Sequence, residues 1–461
     1  MNLNPQTDAS YPWVDAEGDA CYVSWTENVN GNQQVIVKHF DPAAHTWVQD
    51  GGPLNLEPIS GWATRSSLAL YHGTPYVAWA EDANITGYSN ADGVTKSAKV
   101  QAIFVKRFLG GVWEQVGNRV SFNRDVKSAY SPKLKFDTAG SPVVSWNDDG
   151  IVAVRKWNGS VWEPMGNTLP TGGEPELVMK EDVPYVTWSA TDSNYPPEAH
   201  AQNVVWVYCF KPDGWERLGG YLAQIYDTFH PTLVFGHDEP YVAWYEKNSS
   251  PFNTIRVKKF NKGSSAWEAV GAVLNVGFDQ DACEPRIDWW NNSPVVAWNE
   301  KSKIYVKRFS AQSWELIGNN LNADPNGGGA SDPRVAVSGN KFFLAWSETD
   351  SVNFKKQIYV KCHDGVFPAP TTVPGPASAY AQPNPFLPAS AEKVRFYGSA
   401  LASEDYSVEI FNMRGRRVRI LHREDQWNGR NEQGNLCEGG VYVFQIKNPH
   451  SRSSGQIVLI R

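Results

Sequence analysis

Apolar residues alternate with polar ones in short runs along most of the chain, and the runs recur in a fixed order. A β-branched run closes on an apolar-x-Trp motif at Trp25, Trp79, Trp146, Trp188, Trp244, Trp298 and Trp346. Each motif is followed by a second alternating run: VIVKHF, IFVKRF, VAVRKW, VVWVYCF, IRVKKF, IYVKRF and IYVKCH. A short Trp-rich run comes next (TWVQ, VWEQVG, VWEPMG, GWERLG, AWEAVG, SWELIG), and its degenerate seventh copy, GVFPAP, has Phe367 in the tryptophan place. Before each motif stands one more segment, usually opening on proline, from YPWVDA to DPRVAV. Alternation with period two predicts strands, and turn sequences such as DDG and NGS predict antiparallel hairpins between them. Neighbouring motif tryptophans lie between 42 residues apart (Trp146 to Trp188) and 67 apart (Trp79 to Trp146).

Four strands per repeat and seven repeats define an all-β fold, a seven-bladed β-propeller of four-stranded antiparallel blades over residues 1–367. Blades bury both faces against neighbours, which accounts for runs so apolar and aromatic. Of the 20 tryptophans, seven fall in the second-strand position and six in the fourth, so most are expected to pack blades together. Trp62, after Gly61, is the one plainly outside a strand.

Two further repeated features accompany the motif. An acid follows it at Glu27, Glu81, Asp148, Glu246, Glu300 and Glu348, and a base sits in the next strand at Lys38, Lys106, Arg155, Lys258, Lys307 and Lys361. The fourth repeat lacks both, having Ala190 and Tyr208, so acid and base are expected to form structural ion pairs within a blade or between blades.

In a four-strand meander the second-to-third loops and the inter-blade connections share one rim. On that rim the second and fourth repeats carry long inserts, and long loops on a rigid scaffold are where binding usually lies. Asn84, Tyr88, Asn90 and Asp92 on one insert face Asp192, Asn194, Tyr195 and His200 on the other, a groove with Trp62 nearby that suits a polyhydroxylated ligand. These are also ordinary polar turn residues.

A second candidate is the residue just before the usual proline of the innermost strand, a place that Ser66 takes in the second repeat: Tyr11, Arg65, Ser131, Glu174, His230, Glu284 and Asp332. These seven are expected near the mouth of the central channel, where carboxylates, Arg, Tyr and His converging on one opening suit acid–base chemistry. Polar residues are also what a solvated channel mouth ordinarily carries.

Composition narrows the partners. A net charge of −7 argues against nucleic acid and anionic membranes. No apolar run reaches the roughly 18 residues of a spanning helix, and MNLNPQTDAS has no signal-peptide pattern. Either the protein is cytosolic or the numbering starts at a mature end. The five cysteines (Cys21, Cys209, Cys283, Cys362, Cys437) show no metal spacing and are expected as buried thiols, although a disulfide stays open. No calcium loop of the DxDxDG type occurs, and neither a metal nor a cofactor is expected.

From residue 368 the composition shifts: PAPTTVPGPASAYAQP over 368–383 reads as an extended linker. Residues 384–461 hold alternating runs (VRFYGSA, YSVEIFNMRG, RRVRIL, GGVYVFQIKN, GQIVLIR) that predict a small β-sandwich. NPF at 384–386, VEIFNMRGRRVRIL, Trp427-Asn428-Gly429 and Gly440-Val441-Tyr442 occur in an order that resembles the immunoglobulin-like C-terminal domain of flagellar hook-cap proteins and of type IX secretion sorting domains. The resemblance implies an exported bacterial protein, extracellular or on the cell surface, with an attachment-type last domain.

The leading expectation is a non-catalytic propeller that binds a glycan or surface protein through its long-loop face. The rivals are a subunit of an extracellular filament or coat that self-assembles through the C-terminal domain, and a glycosidase using the channel-mouth carboxylates.

Overall fold

The structure is a computed structural model that describes residues 1–56, 61–89, 95–121, 128–191, 203–223, 227–247, 252–277, 280–324, 329–352 and 354–364, and most of 377–459. The side chains of 84–89 and 95–99 lie outside that description. The chain divides into two compact units, Met1–Val366 and Phe367–Arg461.

The first unit is a run of seven antiparallel meanders, six with four strands and the last with three. The innermost strands are Ala9–Glu17, Ala63–Tyr71, Ala129–Phe136, Glu176–Lys180, Asp227–Gly236, Ala282–Trp290 and Ser331–Ser338. There is no single core. Six apolar clusters each join one sheet to the next, for example Val205 and Val207 with Leu233 and Trp244. A further cluster joins Val23, Trp25 and Ile36 of the first sheet to Phe343, Ala345 and Ile358 of the seventh, so the ring closes. This is a β-propeller, and the motif tryptophans are its interleaves: Trp25, Trp79, Trp146, Trp188, Trp244, Trp298 and Trp346 are all 0 % exposed. The expected fourth strand of the seventh sheet, around Phe367, lies outside the described residues.

The repeated acid and base do something other than pair with each other. All six bases donate to a carbonyl of the segment that enters from the preceding sheet: Lys38 to Met1, Lys106 to Leu54, Arg155 to Val120, Lys258 to Leu222, Lys307 to Leu274 and Lys361 to Leu321. In sheets one, two, six and seven the acid accepts the indole N–H of its own motif tryptophan and a backbone N–H of that same segment. Glu300 takes Trp298 Nε1–H at 2.9 Å, Val276 N–H at 2.8 Å and Gly277 N–H. Glu27, Glu81 and Glu348 repeat the arrangement. Glu246 differs by pairing with Arg256. Acid and base thus grip one connection from two sides, and their joint absence from the fourth repeat follows from serving the same segment.

The outer strands are tied by a second repeated device. Trp113, Trp162, Trp215, Trp267 and Trp314 donate their indole N–H to the carbonyls of Asp50, Val116, Met165, Leu218 and Val270 in the preceding sheet. A glycine follows each accepting residue, and at Gly271 φ is +67°. A Cβ there would stand 2.8 Å from both Phe309 Cε2 and Trp314 Nε1. Gly271→Ala should therefore lower stability by about 2 kcal/mol, from left-handed strain plus a clash against a packed ring; an unchanged urea midpoint would refute this account.

The amino-terminal segment takes the place of a preceding connection. Asn2 Oδ1 accepts Ile358 N–H at 3.0 Å, as Asn55 Oδ1 accepts Val35 N–H at 3.1 Å. Gln357 adds a side-chain bond to the Pro5 carbonyl. Residues 1–5 thereby hold the seventh sheet and the first together.

Two expectations need correction, one about a loop and one about the cysteines. The long insert of the second repeat is an extended hairpin, with Thr74–Ser89 paired to Thr95–Leu109 out to Ser89↔Thr95. Among the cysteines, Cys21, Cys209 and Cys437 are buried free thiols, but Cys283 is half-buried and Cys362 exposed.

In the second unit a five-stranded sheet (Ala377–Ser378, Ser407–Asn412, Arg417–His422, Gly440–Lys447, Arg452–Leu459) and a three-stranded one (Tyr380–Gln382, Val394–Tyr397, Gln426–Trp427) share one core. Phe386, Phe396, Trp427 and Phe444 are its largest buried side chains. Asn384 completes the sheet edge by accepting Val458 N–H and donating to the Gln456 carbonyl. The first strands start at Ala377 and Tyr380, inside the stretch expected as linker; residues 368–376 are outside the description.

Candidate functional site

The innermost strands build the site through a repeated backbone irregularity. Six of the seven pair with their second strand through a register shift, for example between Ser10 and Trp13 and between Cys283 and Arg286. At each shift one residue takes a left-handed backbone: Tyr11 (φ 53°), Arg65 (54°), Ser131 (56°), His230 (47°), Glu284 (55°) and Asp332 (55°). Such a conformation costs a non-glycine residue about 1 kcal/mol, and bulges of this kind re-aim a side chain. In the fourth sheet the strand starts later, at Glu176, and Glu174 precedes it without that conformation.

All seven residues line one cavity of about 380 Å³ at an end of the channel, together with Trp13, Lys133, Arg286, Arg334 and Lys356. Arg65 pairs with Glu174, donates to Ser131 Oγ at 2.7 Å and lies 5.4 Å from the Tyr11 ring centre. Glu284 accepts the Asp332 backbone N–H at 2.9 Å. Burial, and then the Asp332 charge, push the Glu284 carboxyl above the usual carboxylate range. His230 is open to the cavity yet walled by protein on most sides. Burial first, then Arg286 and Arg334, push it down to about 4, so it is neutral at physiological pH.

Below the mouth a second layer comes from residues two positions further along the same strands: Trp13, Lys133, Glu176, Thr232, Arg286 and Arg334. Sequence reasoning passed over this layer. Its signal was a charge in the middle of an innermost strand (SPKLKF, EPRIDW, DPRVAV). Burial pushes Lys133 down to about 7, with Arg334, Arg286 and Arg65 adding to the fall against the pull of Glu176. Arg334 is pushed down to about 9 by burial and by Arg286. Deeper still, a cavity of about 260 Å³ is lined by Asp15, Lys135 and Asp288 among others. Burial raises Asp288 to about 7 there and raises Asp15 as well.

The loop groove fares differently. Asn84 and Tyr88 lie on the extended hairpin strand, and Trp62 is 51 % exposed just before an inner strand. Asn90, Asp92, Asp192, Asn194, Tyr195 and His200 lie outside the described residues. The hairpin continues past Glu81, which pairs with Ala63 at the start of its inner strand, so it projects on the rim where the upper cavity opens.

Fold and cavity together define a β-propeller with a charged, concave cavity at one end of its channel. No family model matches the chain, and no curated protein matches it. Among solved structures it is similar to a protein of unknown function from Dyadobacter fermentans, with TM-score 0.44 and 10 % identity over 78 % of this chain and 96 % of that one. It is also similar to a thermostable family-43 glycoside hydrolase (TM-score 0.34, 13 % identity, 59 % of this chain and 95 % of that one). The polysaccharide lyase Uly1 is a third (TM-score 0.48, 8 % identity, 79 % and 91 %).

Proposed function

We propose that the protein is an exported glycan-binding propeller whose ligand seats in the upper cavity. The observation that carries this reading is the convergence on one 380 Å³ space of seven side chains, six of them from left-handed bulges. Strain repeated around a ring and aimed at a cavity marks a functional site more readily than a structural one. The inventory suits a sugar: Tyr11 offers a ring for a CH face, and Glu174, Glu284, Asp332 and Ser131 accept from hydroxyls. The immunoglobulin-like reading of the tail, with export and surface attachment, belongs to the same proposal.

Isothermal calorimetry against oligosaccharides picked from a glycan array is the test. Tyr11→Ala should weaken binding at least tenfold with the fold intact by circular dichroism. Unchanged affinity in that variant, or no oligosaccharide bound at all, would remove the reading.

A second reading rests on Glu284, whose carboxyl is pushed above the usual carboxylate range by burial and then by the Asp332 charge beside it: a raised carboxyl next to a second acid suits general-acid chemistry. It predicts bond cleavage in the bound glycan that is lost in Glu284→Gln while binding persists. Binding without any cleavage product in the wild type would eliminate it.

A further inference from the structure

The upper cavity is more basic than the molecule that contains it. The protein carries a net charge of −7, yet five cationic side chains line the cavity against three carboxylates. The carboxylates are also largely engaged: Glu174 is taken by Arg65, and Glu284 accepts from the backbone of Asp332. Asp332 Oδ2 in turn accepts from Ser331 Oγ at 3.2 Å.

The cations of the floor have poor partners by comparison. Among the described residues Arg286 and Arg334 each donate to the carbonyl of the preceding proline, at 3.2 and 3.1 Å, and neither forms an ion pair, although Asp332, Glu176 and Glu284 lie near enough to act on Arg334. Lys133 and Arg334 share the Trp13 ring, 5.5 and 5.0 Å from its centre. One indole face is a weak substitute for an anion. Three cations crowded below the protein surface around one cavity are an arrangement that an entering oxyanion would complete.

We infer that this floor is an oxyanion site, built to receive the acid group of the ligand, a uronate carboxylate or a sulfate ester. The inference rests on the glycan reading for the rest of the ligand. In such a complex the acid group lies between Arg286, Arg334 and Lys133, while the hydroxyls of the same sugar face the carboxylates of the mouth. The vertical order of charge, acidic rim over basic floor, then fixes the direction in which the sugar enters.

The test is calorimetry with a galacturonate trisaccharide and its methyl ester, and with a sulfated galactan oligosaccharide and its desulfated form. At least one anionic ligand should bind tenfold or more tightly than its neutral counterpart, and the preference should collapse in Arg286→Met and Arg334→Met. Carboxylate and sulfate are told apart by which pair shows the preference. Equal affinity within both pairs, or a preference that survives both substitutions, overturns the inference and leaves the glycan reading standing. Sodium sulfate alone is the control for the opposite case. If no oligosaccharide binds but sulfate raises the melting temperature of the wild type and not of Arg334→Met, the oxyanion site stands and the glycan reading falls. If sulfate has no such effect either, both fall. Thermal melts of the two variants without ligand show that each is folded.

Discussion

Lys133→Met will stabilise the protein by about 3–4 kcal/mol at pH 7. Lys133 is only 6 % exposed, and its ammonium sits near Arg65, Arg286 and Arg334 with Glu176 as the main opposing charge. Burial and these neighbours hold its folded pKa at about 7, whereas an unfolded lysine titrates near 10.4. The sign follows from proton counts. Between those two values the unfolded chain holds more protons than the folded one, so this residue makes stability rise with pH across that window. Below pH 7 both forms are protonated and the full penalty is present. Methionine keeps the length and removes the charge, so the gain should be greatest at pH 6 to 7 and shrink to about 1–2 kcal/mol at pH 9. Urea melts of both proteins at three pH values measure it, and a pH-independent difference would show that the charge is not its source. The same variant should lose affinity for acidic ligands, since a group that is costly to the empty protein is retained for what it binds.

Glu300→Ala is the largest expected loss, about 3–5 kcal/mol. Its carboxylate, 1 % exposed, satisfies the indole of Trp298 and the backbone of Val276 and Gly277. Alanine leaves the buried indole N–H of Trp298 and two partly buried backbone donors without their partner, and a cavity beside the motif tryptophan. Glu300→Gln retains an acceptor but turns an N–H₂ toward other donors, and should cost roughly half as much. A urea midpoint that hardly moves in the alanine variant, with the slope unchanged, would mean that the clasp between the fifth and sixth sheets is ornamental.

The repeat was legible because burial on both faces of each sheet forces apolar residues into strict alternation, with tryptophans at fixed places. The channel mouth was legible for a related reason, since the proline after Tyr11, Ser131, Glu174, His230, Glu284 and Asp332 marks one structural position. The bulge itself left no trace: nothing in Glu284-Pro285-Arg286 announces a left-handed residue. Arg286 and Arg334 were overlooked because charges in an alternating run read as the solvent face, and in a propeller the innermost strand faces a channel instead. The grip of Glu27 and Lys38 was misread as a pair because their partners are backbone atoms of residues 1–4, which carry no side-chain signature. The hairpin of the second repeat was taken for a loop because small residues (Ala98, Ser97, Gly87) blur its alternation.

The bonds between Asn2 and the Ile358 strand join residues 356 positions apart in the chain. A loop of that length must be drawn shut before the contact returns anything, and its closure entropy is largely unrewarded until the seventh sheet exists. Each earlier sheet can zip by local hairpins onto the one before it, so the seam between the first and seventh sheets should form last on the way in. It should also open first on the way out. Amide exchange would then find Ile358 among the least protected strand positions, although its side chain is fully buried, and the native state would be guarded by the rate at which five amino-terminal residues let go.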